Sequence, residues 1–316
     1  MTNTASPFDL AALFDVDDSA AVQDAIVEFF GSKKGGVSKS TTCKETAAHY
    51  RSRPDESVVL FDTNGNVGSM SSNYAIHSNG VYDDLANMDA STDRPAGGCK
   101  IIDLNVDLDK QFFYDLIAAP SPNFTRALID LGQDEAKNLA NLFGNIREFV
   151  DNVRASGRRI IYNHCVDGDP AAAQSVISTI LDLGPGVYHR ALLTQTKENK
   201  VETHPWFHGS IGTEPGAFSP KQAIELVGGE VYSLPEMKGA SEILGHYTRL
   251  KTNFGDPAAL TGVMQARGIQ HLRLAGYIRK MREIHAQQDA ALESQTGASL
   301  EALKEIAKKN FGKSYV

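Results

Sequence analysis

Between Lys34 and Thr41 the chain reads Lys-Gly-Gly-Val-Ser-Lys-Ser-Thr, which puts two glycines, two lysines and three hydroxyl groups into eight positions. That inventory suits a polyphosphate. Gly35 and Gly36 let backbone N–H groups approach phosphate oxygens with no Cβ in the way. Lys39 has the reach to neutralise β- and γ-phosphates, and the Ser40 hydroxyl is a hard oxygen ligand for Mg2+. The spacing is not that of the ordinary GxxxxGK[ST] loop, because Lys33 and Ser38 stand where its two glycines belong. What fits is a variant with an earlier lysine, K-G-G-x-x-K-[ST]. Two acids at the ends of apolar runs, Asp62 in "VVLFD" and Asp130 in "RALIDLG", are the carboxylates available to work beside it. Asp115 in "FFYDLIAAPSP" comes too early in its run to serve, and His164 and Cys165 sit in a run that reads as core.

Such a turn has to be held between a strand and the start of a helix. "AIVEFF" before it reads as a buried strand, and further buried strands are read in "SVVLFD", "RALIDLG", "RRIIYNHC", "YHRALLTQ" and "EVYSLP". Helices are expected over Lys39 to Ser52, Asp134 to Ala155 and Pro170 to Leu183, the last with Asp169 as cap and Pro170 in its first turn. This alternation predicts an α/β fold, a mostly parallel twisted sheet with helices on both faces. The expected organisation is an N-terminal arm over residues 1–24 and a nucleotide-binding domain over 25–256, followed by a C-terminal helical extension over 257–316, broken around "SQTGAS". The central domain carries an insertion at about 66–111, rich in Ser, Asn, Asp and Gly, where little regular structure is expected.

The turn resembles the deviant Walker A motif of the ParA/MinD superfamily of P-loop ATPases, and the likeness continues along the chain. Asp62 with Gly65 and Asn66 in "DTNGN" resembles the family's D-P-Q-G-N loop, and Asp130 with Gly132 resembles the end of its Walker B strand. "RRIIYNHCVDGDPAAAQSVISTILDLG" is similar to its fourth strand and helix. "EVYSLPEMKGASEILGH" resembles a late strand, proline and helix, with Pro235 where the family's backbone packs on adenine. Ser38 replaces the usual Gly, Leu60 an additional Asp of many members, and the segment between Asn66 and Lys110 has no counterpart. The resemblance implies a Mg2+-dependent ATPase, slow and stimulated by a partner. Lys34, Gly35, Gly36, Val37, Ser38, Lys39, Ser40 and Thr41 would hold ATP, with Gly132 and Pro235 completing the site. Ser40, Asp62 and Asp130 would serve Mg2+, and Asp62 would orient the attacking water. By the same resemblance Lys34 would reach the partner's nucleotide, so that ATP joins two subunits into a homodimer and hydrolysis separates them. "TKEN", Thr196 to Asn199, lacks the Asp of a guanine-reading N-K-x-D, which leaves adenine as the expected base.

Composition narrows the setting. The 41% hydrophobic and 22% charged content is that of a soluble globular protein. No run of 18 apolar residues occurs, and the N-terminus is acidic where a secretory leader would be basic, so a cytoplasmic location is expected. Cys43, Cys99 and Cys165 are odd in number and scattered, which excludes a disulfide framework or a zinc site. A net charge of -8 argues against a whole-surface nucleic-acid binder. From Pro257 to Val316, however, Lys and Arg outnumber the acids, and Arg273, Arg279, Lys280 and Arg282 fall within ten residues. The expectation is a ParA-type ATPase for plasmid or DNA partition or for cargo positioning. It would contact nonspecific DNA phosphates, nucleoid DNA included, through those four residues, and a ParB-like adaptor would stimulate it. The alternative is a MinD-like ATPase at a membrane surface, using the amphipathic "SLEALKEIAKKNFGKSYV" with Leu300, Leu303, Ile306 and Ala307 on one face.

Overall fold

The computed structural model describes residues 25–32, 38–63, 69–79, 81–82, 87, 98–118, 124–132, 145–184, 186–194, 206, 219–236 and 268–294. In chain order the elements are β1 (Ile26–Gly31), α1 (Lys39–Arg51), β2 (Val58–Asp62), α2 (Ser69–Tyr74), β3 (His77–Ser78), β4 (Val81–Tyr82), β5 (Lys100–Ile101), α3 (Asp107–Ile117), β6 (Arg126–Asp130), α4 (Ile146–Ala155), β7 (Arg159–Val166), α5 (Pro170–Leu183), β8 (Val187–Thr194), α6 (Pro220–Leu226), β9 (Glu230–Leu234) and α7 (Gly268–Ser294). All six apolar runs read as strands are strands. They join β5 in one sheet of order β5-β2-β6-β1-β7-β8-β9, every pairing in it parallel. β1, β2 and β6 are buried along their whole length, as strands covered on both faces must be.

From β1 the chain crosses through α1 to β2 on one side, and from β6 it crosses through α4 to β7 on the other. The connections leaving β1 and β6 therefore part in opposite directions at the carboxyl ends of two neighbouring strands. In open parallel sheets that is where a ligand crevice forms. Register fixes what each face presents. Phe30, Leu60 and Leu128 point with Asp62 and Asp130 toward α1, where Cys43, Ala47 and Tyr50 complete the packing. Val27, Phe29, Phe61 and Ile129 point the other way, onto Phe113 of α3 and Phe149 and Val153 of α4.

α5 begins as expected, with the Asp169 carboxylate accepting from Ala171 N at 2.7 Å, and it ends at Gly184 in a positive-φ conformation that only glycine adopts without strain. Of the stretch expected as one helix from Asp134, the described part is helical from Ile146 to Ala155. The segment at 66–111 differs from expectation. It contains α2, the β3–β4 hairpin, β5 on the edge of the main sheet and the start of α3. Its ends are pinned by the buried Asn87 side chain, whose Oδ1 accepts from Ile76 N and Cys99 N, both at 2.8 Å, and whose Nδ2 donates to Ile76 O. Arg51 holds the same return by donating to Gly98 O at 2.7 Å.

α7 is a 27-residue helix that reaches Ser294, the first residue of "SQTGAS", the rest of which lies outside the described residues. Leu274, Tyr277, Met281, His285, Gln288 and Leu292 form its buried face at helical spacing. Its seam with α1 is polar. His285 Nε2 lies 2.6 Å from Glu45 Oε2 and its Nδ1 2.9 Å from Gln288 Oε1, and its ring stacks on that of His49. Asp289 accepts from the Tyr50 hydroxyl at 2.8 Å and from Arg53 at 2.7 Å. Beneath this seam lies a buried charge cluster in the sheet. Glu28 of β1 accepts from Arg126 at 2.9 Å, Asn163 at 2.9 Å and Arg190 at 3.3 Å. Arg190 also donates to Gln288 O of α7, and the Arg126 guanidinium lies 3.6 Å over the Tyr50 ring.

Candidate functional site

β1 ends at Gly31, where the Tyr162 ring of β7 occupies the space a Cβ would need. Lys34, Gly35, Gly36 and Val37 lie outside the described residues, as do Gly65 and Asn66. The description resumes at Ser38, the N-cap of α1, which stands at φ 65° and ψ 18°. This left-handed backbone is the conformation a glycine adopts freely, and Ser38 adopts it where the resembling motif has Gly. Its side chain caps nothing, and its carbonyl accepts from both Thr42 N and Thr42 Oγ1, at 2.9 and 3.0 Å. No acid occupies the first turn, so the positive end of the helix dipole is not offset from within the helix. Lys39 is buried, while Ser40 and Thr41 are half-buried.

Asp62 and Asp130 close β2 and β6, and they are partners in the parallel register. Both are fully buried. The neighbouring Thr63 fastens their strand ends together. Its N and Oγ1 both donate to Asp130 O, at 3.1 and 3.0 Å, and Oγ1 accepts from Gly132 N at 3.1 Å. Asp62 Oδ2 accepts from Ser71 N at 2.8 Å, which ties α2 to the end of β2. Neither oxygen of Asp130 has a hydrogen bond of ordinary geometry. Burial pushes its carboxyl up to about 7, Asp62 adds to the rise, and the Ser40 hydroxyl, Lys39 and Lys44 oppose it.

These oxygens are a fitting set for Mg2+. Two carboxylates and a hydroxyl are hard ligands, and two buried carboxyl oxygens that make no hydrogen bond of ordinary geometry are suited to a cation or its water shell. Among the described residues no three His, Cys, Asp or Glu side chains converge on one point. A Mg2+ ion held by these residues would need its remaining ligands from outside the protein, as is usual where one or two carboxylates hold it. Three polar contributors went unnoticed in the sequence: Thr63, Asn73 and Lys44. Lys44 Nζ donates to Asn73 Oδ1 at 2.6 Å in the interior. Only the folded register shows these, since a lysine one and a half turns into a helix carries no motif.

Pro235 follows β9 and lines a groove of about 540 Å3 with Leu234, Lys280, Glu283, Ile284 and Gln287. Lys280 thus faces Pro235 across that groove, and burial lowers the His49 imidazole of α1 to about 3, with the neighbouring charges of His285, Arg53 and Arg282 adding to the fall. Arg273, Arg279, Lys280 and Arg282 are all exposed, but they fan around the solvent side of the helix with Glu283 among them. The three cysteines are free thiols buried in one core cluster. His164 is core as well, its Nε2 3.1 Å from Nδ1 of His189. "TKEN" and residues 300–316 lie outside the described residues.

No protein-family profile matches the chain, and neither does any curated protein. Among solved structures it is similar to a ParA family ATPase from Chlorobium tepidum at 13% identity and a TM-score of 0.47, over 81% of this chain and 96% of that one. It is also similar to a plasmid partition protein from Borrelia burgdorferi bound to AMPPNP, at 13% identity and a TM-score of 0.42, over 71% and 90% of the two chains. A third likeness is to the MinC:MinD cell division protein complex of Aquifex aeolicus, at 13% identity and a TM-score of 0.40, over 82% and 96%. At these values the likenesses say nothing of chemistry, which has to come from the residues themselves.

Proposed function

We propose that the protein is a Mg2+-dependent ATPase of the ParA/MinD kind, a switch that closes into a homodimer on ATP and reopens on hydrolysis. One observation carries the reading: on a single face of the sheet the start of α1, with Lys39 and Ser40, adjoins a buried Asp130, whose oxygens make no hydrogen bond of ordinary geometry, and its register partner Asp62. A buried carboxyl whose oxygens are poorly satisfied costs about 1–3 kcal/mol, which a ligand in the site would relieve. Lys39 and the first-turn N–H groups would bind the β- and γ-phosphates, and Lys34 would extend this contact across the dimer. Ser40 and Asp130 would hold Mg2+, which when bound neutralises charge on the transferring phosphoryl oxygens. The bond from Ser71 N fixes the Asp62 carboxylate, which would orient the attacking water. Calorimetry of Mg-ATP against Lys39→Ala tests the site. Binding should vanish, and affinity within about threefold of the parent would dismiss the phosphate role.

At the cellular level the reading is partition or positioning on DNA, with a ParB-like adaptor as stimulator. The support is the exposed basic side of α7. Because its four cations fan rather than align, about two per subunit would meet one duplex. A dimer then predicts a slope of log K against log salt of about -3 to -4. Reversing Arg273, Arg279, Lys280 and Arg282 to Glu should remove ATP-dependent DNA binding and spare dimerisation. An unchanged slope would show that the DNA surface lies elsewhere. Cosedimentation with plasmid DNA against anionic liposomes separates this from a membrane role. Among the described residues no helix is long and apolar enough to cross a membrane.

A further inference from the structure

Along the carboxyl edge of the sheet each strand end is caught by the chain leaving its neighbour. Ile102 N donates to Asp62 O at 3.0 Å, Thr63 N to Asp130 O at 3.1 Å, and Leu131 N to Phe30 O at 3.1 Å. This lacing runs from β5 through β2 and β6 to β1, whose last residue, Gly31, leads into the glycine-rich turn. At Thr63 a side chain is added to it. Oγ1 donates to the same Asp130 carbonyl at 3.0 Å and accepts from Gly132 N at 3.1 Å, so one oxygen spans the peptide groups on both sides of Leu131. A hydroxyl has one proton and two lone pairs, which is what this double role needs. Branching at Cβ keeps the threonine χ1 stiff, and the residue is buried, so the oxygen is held in one place. On the far side of the same link, Ser71 N fixes the Asp62 carboxylate at 2.8 Å.

We infer that Thr63 is a positioning residue, whose hydroxyl locks the turn from Asp130 to Gly132 onto the end of β2 so that the Asp62 and Asp130 carboxylates keep one spacing. The backbone bond from Thr63 N reaches Asp130 only, and the hydroxyl carries the hold on to Gly132, past the point where β6 ends. Register makes the two aspartates neighbours, and the lock keeps them so where the strands run out. A proline, as in the D-P-Q-G-N loop that this stretch resembles, would supply neither donor. Groups that act together on one phosphoryl tolerate little drift, since a misplacement of about 1 Å can cost about a hundredfold in rate. The inference rests on the proposed nucleotide site for the use made of that spacing, and on the hydrogen bonds alone for the lock.

Hydrogen exchange of the nucleotide-free, full-length protein, followed by NMR at the Gly132 and Leu128 amides, tests the lock. Thr63→Val keeps the shape and loses the hydroxyl, so exchange at Gly132 should quicken roughly tenfold or more while Leu128, within β6, stays within about twofold of the parent. Thr63→Ser keeps the hydroxyl and should stay within about threefold of the parent at both amides. If the valine variant does not fold, Thr63→Ala carries the same expectations. Unchanged exchange at Gly132 would overturn the lock. So would equal gains at Gly132 and Leu128, which would show a general loss of stability. Steady-state ATP hydrolysis tests the use: kcat of Thr63→Val should drop about tenfold or more with KM for ATP within about threefold, and serine should restore it. A raised KM with kcat unchanged would mean that the hydroxyl serves binding, and the positioning role would be wrong. A parent that neither binds nor hydrolyses ATP would sink the nucleotide reading, and the exchange result would then decide the lock by itself.

Discussion

Ser38→Gly isolates the backbone at the entrance to α1. At φ 65° and ψ 18° Ser38 pays the left-handed penalty of an L-residue, about 1–2 kcal/mol. It recovers nothing through its side chain, which makes no cap hydrogen bond. Glycine removes the penalty but adds freedom to the unfolded chain, worth about 0.4–1 kcal/mol in the opposite direction. The net expectation is a stabilisation of about 0.5–1 kcal/mol, read in urea as a midpoint roughly 0.2–0.4 M higher at unchanged slope. Ser38→Ala keeps the strain and has no cap to lose, so it should fall within about 0.5 kcal/mol of the parent. Ser38→Val adds a β-branched side chain to a left-handed backbone and should cost about 1 kcal/mol or more. If the glycine variant is less stable than the parent, or alanine is as harmful as valine, then the hydroxyl matters and the backbone argument is wrong. Because a phosphate would meet the amide and not the side chain here, nucleotide affinity of Ser38→Gly should stay within about threefold of the parent.

Acid should weaken the fold through His164 and His189, which burial keeps neutral, His189 at about 3. Their folded values lie below the unfolded value, so this stability is complete above a pH of about 6.5 and is lost as pH falls from there toward 3, and urea midpoints at pH 5 and 7 report it. His285 works in the opposite sense. Burial opposes its charge, but Glu45 and Gln288 raise its value overall, so its contribution is complete below a pH of about 6.5 and is lost as pH rises through the raised folded value. His285→Gln should therefore cost more at pH 5 than at pH 9 in the same assay. Asn87→Ala strips partners from two backbone N–H groups and should cost about 2–3 kcal/mol. The accompanying sign is faster hydrogen exchange at Ile76 and Cys99 than elsewhere in the sheet.

The parallel sheet was legible because its strands are near-continuous apolar runs separated by capped helices, as at Asp169-Pro170. The start of α1 at Lys39 followed from the same logic. The elements between 69 and 101 were not legible, since β3, β4 and β5 are two residues each and too short to show a period. The polar interior was hidden for another reason. Glu28 looks like a single polar interruption in an apolar run, Arg126 like the polar head of one, and Asn163 and Arg190 like one half of a polar pair, and they become one cluster only when β1, β6, β7 and β8 are laid side by side. The basic cluster of α7 shows the reverse error, because closeness in sequence there does not give a single patch in space.

The Glu28 cluster also limits how this sequence can drift. Two guanidinium groups and an amide converge on one buried carboxylate, so losing Glu28 alone strands two buried cations, and losing either arginine takes away one of its two charged partners, at a cost of up to about 3–5 kcal/mol. Against a total stability of about 5–15 kcal/mol, few lineages survive that step alone. Replacement of the whole group by apolar side chains, by contrast, is close to neutral. Descendants and cousins of this chain should therefore carry Glu28, Arg126 and Arg190 all together or none of them, and an alignment would show the three positions changing as a block.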